Sequence, residues 1–190
     1  ILSDERFAPK PPAFLGPFAQ YEGRFTYHID SLVAAYDDGA LIPIIKKAFR
    51  EWTCHTGIDW TVADGPVYNS LPGPAADSIC VIKFGPLPPN RLAQTNNYIG
   101  PCVPHVYSVQ SDLTISDDPA YTWFLDTVPE HPVPAGQYDL YHILLHELGH
   151  AHNLQHVIDP EAMMYFAGNS DEGPRRIELY ADPSSYWGGN

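Results

Sequence analysis

The feature that most limits what this chain can fold into is eleven residues long: His146-Glu147-Leu148-Gly149-His150-Ala151-His152-Asn153-Leu154-Gln155-His156. Apolar residues recur at helical spacing from Leu140 to Asn153, so a helix is expected there. On it His146 and His150 stand one turn apart and leave the same face, roughly 5–6 Å apart at their β-carbons. Two imidazoles so placed can hold one zinc ion at about 2.0–2.1 Å each. Glu147, beside the first, can serve as base toward water on that metal without being a ligand. His156 is harder to place. On a continuing helix it would lie about 9 Å further along the axis than His150, at about 1.5 Å per residue. His152 is worse, roughly 160° around the helix from His150. For His156 to become the third ligand, the helix must stop near Asn153 and the chain must turn back. A left-handed residue makes such a turn, and asparagine follows glycine in tolerating it. His142, one turn before His146, reads as a supporting residue. His28, His55, His105, His131 and His152 read as ordinary polar positions.

The rest of the chain fits one domain. Its 190 residues are 44% apolar and 13% aromatic, enough to fill a sizeable core. Ten basic against twenty-three acidic residues give a net charge of −13. That excludes nucleic acid or an anionic membrane as the main partner, since both need a positive surface. It leaves room for bound calcium, with the pairs Asp37/Asp38 and Asp117/Asp118 as candidates. No apolar run approaches the roughly 18 residues of a membrane helix. The chain begins at Ile1 without initiator Met or signal pattern, as expected of a processed or a trimmed form. Its cysteines, Cys54, Cys80 and Cys102, allow one internal disulfide at most, with Cys80–Cys102 the expected pair, against three buried free thiols.

Residues 1–24 read as an extended arm, with Pro11 and Pro12 opposing helix. Strands are expected at Phe25–Ile29, Ile58–Val62, Ser78–Phe84 and Leu113–Ser116, with a short extended piece at Leu92–Thr95. Asp37, Asp38 and Gly39 read as a turn and N-cap for a helix over 40–54. That helix shows a stripe of Leu41, Ile45, Ala48 and Trp52, widened by Ile44 and Phe49, and Gly57 stops it. Residues 85–112 read as mostly loop, apart from the piece at Leu92–Thr95. Residues 117–138 also read as loop, and a last short helix is expected near 174–180. The outline is an α+β domain.

The histidine motif resembles that of the metzincins, zinc endopeptidases with HExxHxxGxxH and a methionine turn. Among them it is most similar to the matrixins, the matrix metalloproteinases and their bacterial relatives. Asp159-Pro160-Glu161-Ala162-Met163-Met164-Tyr165 carries the likeness further, since matrixins have a similar Asp, Ala, Met and Tyr after the third His. Weaker likenesses lie at Phe25–Ile29, at the helix ending in Trp52, at Ala76–Ile79 and at Leu92–Thr95. Asn153, Val157 and Phe166 depart from the usual matrixin residues.

The resemblance implies a twisted, mainly parallel sheet with an antiparallel edge strand, a backing helix, an active-site helix and a small C-terminal subdomain over about 157–190. The whole of 1–190 is then one catalytic domain. It implies zinc on His146, His150 and His156, Glu147 as the catalytic base, and Met164 as the floor of the site. Leu92, Ala93, Gln94 and Thr95 are expected to pair with an extended peptide, and Tyr165 and Phe166 to wall a specificity pocket. The function expected is a secreted, extracellular or periplasmic zinc endopeptidase. It would be monomeric and act on protein or peptide substrates, with a pro-segment or inhibitor as a further occupant of the cleft. The competing readings are a zinc-stabilised binding module without turnover and a metal-dependent hydrolase of non-peptide amides.

Overall fold

A computed structural model describes residues 24–70, 77–102, 105–128, 131–157, 159–165, 168 and 170. The N-terminal arm expected over 1–24 lies outside the described residues apart from Arg24, which opens the first strand, and the short helix expected near 174–180 lies outside them too. Strand β1 (Arg24–Ile29) leads to a short helix α1 (Ser31–Ala35), a 3-10 turn (Tyr36–Gly39) and helix α2 (Leu41–Thr56). Strands β2 (Asp59–Val62), β3 (Cys80–Gly85), β4 (Ala93–Cys102) and β5 (His105–Ser116) follow. Two short strands, β6 (Thr122–Phe124) and β7 (Gln137–Asp139), precede helix α3 (Leu140–Ala151).

The main sheet has the order β2-β1-β3-β5-β4. Its first three pairings are parallel, and β4 joins β5 antiparallel at the edge. The expected α+β architecture is therefore present, with α2 behind and α3 beside the edge strand. No helix among the described residues is long and apolar enough to cross a membrane.

Helix α2 forms because its apolar stripe has a core to face. Leu41, Ile44, Ile45, Ala48, Phe49 and Trp52 are its buried residues, the same six that the periodicity selects. Each large side chain among them contributes about 1.5–3 kcal/mol by leaving water. Gly57 ends the helix at φ 72, a left-handed conformation that glycine reaches without Cβ strain. Across the core, Phe49 and Trp60 pack against Tyr27 of β1, which is fully buried. Trp52 spans the two long helices: its indole N–H donates to the Leu145 carbonyl at 3.0 Å.

Several expectations are corrected. Asp37–Gly39 does not cap α2: Asp37 and Asp38 are left-handed inside the 3-10 turn, and the cap position is Ala40, with no side-chain bond. Asp30 caps α1 instead, accepting from the Leu32 N–H at 2.9 Å. Residues 85–112 are not mostly loop, because β4 and β5 run to Cys102 and back from His105 as one long hairpin. Pro101 fits β4 as an edge strand, the place in a sheet where proline is accommodated. Residues 117–138 contain β6 and most of β7, paired parallel.

Cys80 is a free thiol, and so is Cys54, so no Cys80–Cys102 bridge exists. The separation explains it. Cys80 lies against Ser111, whose N–H donates to its sulfur at 3.4 Å, whereas Cys102 pairs with His105 at the hairpin's far end. Six residues of strand between Ser111 and His105 span about 20 Å. Nor are the free thiols all buried, since Cys54 is exposed.

Candidate functional site

Helix α3 starts at a side-chain cap and ends at a forced stop. The Asp139 carboxylate accepts from the His142 N–H at 3.1 Å. At the other end Asn153 adopts φ 62, the left-handed residue that the histidine spacing demands. The Asn153 N–H reaches the His150 carbonyl at 2.8 Å, and the Leu154 N–H reaches that of Gly149 at 3.0 Å. These bonds satisfy helix-end carbonyls while the chain reverses.

The reversal delivers His156 to the other two rings. Its Nε2 lies 3.1 Å from that of His146 and 3.0 Å from that of His150. Ligand atoms about 2.0–2.1 Å from a tetrahedral ion lie about 3.3–3.4 Å from one another, so the observed edges suit one such ion. The tautomers also fit. His146 Nδ1 is 2.9 Å from the Met163 carbonyl, and His150 Nδ1 is 2.9 Å from the Leu154 carbonyl. A carbonyl only accepts, so each Nδ1 carries the proton and each Nε2 presents a bare lone pair. Two bare lone pairs facing the third ring at this distance suit a cation held between them. Burial, and then the neighbouring His150, hold His146 down to about 3; the same causes hold His156 at about 4. Both rings are neutral near pH 7, as metal ligation requires. Among the described residues this trio is the group of His, Cys, Asp and Glu side chains that can close on one ion. Asp37/Asp38 and Asp117/Asp118 form no such group.

The loop after His156 folds back under the helix. Val157 bridges Tyr165, and its N–H donates to the Met164 carbonyl at 2.9 Å. Met164 is buried against Gly149. A β-carbon added at Gly149 would meet the Met164 sulfur at 2.2 Å, so only glycine permits this approach. The same loop orients His146 through the Met163 carbonyl. The carbonyls of Met163 and Leu154 were not foreseeable, since main-chain partners carry no residue-type signal.

Glu147 faces the same space from a buried position, 6% exposed. Burial raises its carboxyl above the usual range, while His150 and the hydrogen bonds from Thr95 pull it partly back. Thr95 Oγ1 lies 2.8 Å from Glu147 Oε2 and 2.9 Å from the Glu147 carbonyl. Two residues on, Asn97 Nδ2 donates to the His150 carbonyl at 2.7 Å.

An open cleft of about 800 Å³ runs over these groups. Leu92, Ala93, Gln94 and Thr95 line one side, and Tyr165 lines it beyond the third histidine. Phe166 lies outside the described residues. Tyr121, Tyr138, Asp139 and His142 also line the cleft, and of these only His142 carried a sequence signal, as the histidine one turn before His146. His152 is no ordinary polar residue. It is 1% exposed, with ring centroids 4.3 Å from Trp52 and 4.5 Å from Trp60. Its ring sits on the helix face opposite the cleft because of the rotation that bars it from the metal.

A family model of the matrixins matches residues 19–182, most of the chain. No curated protein sequence matches it significantly.

Proposed function

The chain belongs to the matrixin family, and from that membership we propose that it is a zinc-dependent endopeptidase cutting extended stretches of protein. The observation that carries the reading is the approach of His156 Nε2 to those of His146 and His150, at 3.1 and 3.0 Å, beside the buried Glu147. When bound, zinc supplies a Lewis acid that polarises the scissile carbonyl and lets water lose a proton near neutral pH. His146, His150 and His156 would hold the ion through Nε2, with main-chain carbonyls fixing the first two rings. Glu147 accepts the proton of the attacking water and returns it to the leaving amine.

The outer edge of β4 supports the choice of an extended substrate. Its inner edge is used by β5, and its outer edge ends the sheet. A peptide laid there adds a strand, with backbone hydrogen bonds giving affinity. Such bonds do not read sequence, so preference belongs to the cleft, with Tyr165 on its wall. Matrixins are typically secreted, and on the same reading this chain acts outside the cell.

Substitution of the base tests the proposal. Glu147→Ala should keep its zinc and lose cleavage of casein, by the 10²–10⁴-fold or so that a general base contributes. Parental cleavage by that variant would refute the mechanism. A zinc-loaded parent that cuts nothing in a peptide library would favour the binding module without turnover.

A further inference from the structure

We propose that Thr95 is the positioning residue for Glu147, so that the edge strand which takes the peptide also sets the base. The inference rests on the endopeptidase reading and adds a residue to it. Thr95 lies on β4, opposite Leu113 of β5. Its hydroxyl turns toward α3 and stands 2.8 Å from Glu147 Oε2. Among the described residues it supplies the hydrogen bond that this carboxylate receives, and Oε1 is left to water or substrate in the cleft.

The second acceptor makes the arrangement specific. A hydroxyl has one proton to give and two lone pairs to offer. Thr95 donates to Oε2, 2.8 Å away, and the Glu147 carbonyl, 2.9 Å away, is a second acceptor for the same hydroxyl. The side chain and the main chain of the base thus meet at one hydroxyl, which fixes Oε2 and leaves Oε1 toward the cleft. Serine preserves this capacity, and valine keeps the shape but loses it.

Asn97 provides an independent anchor. Residues two apart on a strand share a face. Asn97 reaches the His150 carbonyl at 2.7 Å and the Asn153 side chain at 3.4 Å. Strand β4 thus grips α3 at two points, at the base and at the helix stop. The β4–β5 register shifts just beyond, between Tyr98 and Ile99. The segment ahead of the shift is the part matched to the helix.

The test compares Thr95→Val, Thr95→Ser and Glu147→Ala in the zinc-loaded full chain. Thr95→Val should lower kcat about 10- to 100-fold with little change in KM, the scale expected for a displaced catalytic group. Thr95→Ser should recover most of that loss. Zinc retention against a competing chelator should match the parent in both. A readout apart from turnover is the melting temperature of Thr95→Val, Glu147→Gln and the double variant. The double variant should lose less than the sum of the two single losses, because the two groups act as a pair. If Thr95→Val is not recovered folded, Thr95→Ala takes its place in both series. An unchanged kcat in Thr95→Val, an equal loss in Thr95→Ser, or additive melting shifts would each overturn the assignment. A dead Glu147→Ala beside an unimpaired Thr95→Val overturns this assignment alone. A fully active Glu147→Ala overturns the endopeptidase reading and this one with it.

Discussion

Asn153 carries more of the site than its size suggests. At φ 62 it bends the chain so that His156 faces the two helical histidines. Residues with a β-carbon resist this conformation by roughly 1–2 kcal/mol, and asparagine resists it less than most. Asn153→Gly should therefore leave the melting temperature close to the parent's. Asn153→Ala should lower stability by about 1 kcal/mol and release zinc more readily to a chelator. Equal behaviour of the two variants would show that the turn is held by other contacts. This position could be located before any coordinates, because helix geometry forbids His156 from binding without it. The tie of Asn97 to the same turn could not, since nothing in the spacing of β4 says which helix it will touch.

Between α3 and the loop that follows it, the contact is set by a missing side chain. A glycine inside a helix costs about 1 kcal/mol relative to alanine, yet Gly149 is the residue against which Met164 rests. Alanine there would also come within 3.3 Å of Trp52 Cζ2, so neither neighbour can retreat freely. Gly149→Ala should cost about 1–3 kcal/mol by overpacking, read as a fall in melting temperature, despite its better helix propensity. A rise would mean that Met164 relocates at no cost. Elements with a single strong period, such as α2, could be drawn from the sequence nearly to the residue. The β4–β5 hairpin could not. Asn96, Asn97, Gly100 and Pro101 look like loop residues until one knows that their strand is an edge. Strands β6 and β7 are three residues each and exist only because they pair with one another.

For the molecule as a whole, a buried carboxyl outside the histidine cluster contributes to the response to pH. Asp139 caps α3 and is 4% exposed. Burial pushes its pKa up to about 6, against the pull of the N–H groups of His142 and Tyr141. An unfolded aspartate titrates near 3.9, so the folded chain holds this proton more tightly. The stability it contributes is full below about pH 4 and is lost as pH rises through about 6. Asp139→Asn keeps a cap and removes the ionisation. It should melt higher than the parent at pH 8, by at most about 3 kcal/mol of stability, and the advantage should vanish at pH 4. A gain of equal size at both values would place its origin elsewhere.

The absence of a bridge at Cys80 has its own consequence. The thiol is walled in by the sheet, and burial pushes its pKa up to about 12, whereas Cys54 sits in the open. An alkylating reagent added to the native protein should modify Cys54 at once. It should reach Cys80 only at the pace at which β3 and β5 part. The chain therefore carries a built-in clock for the opening of its own interior, readable by mass without any introduced label.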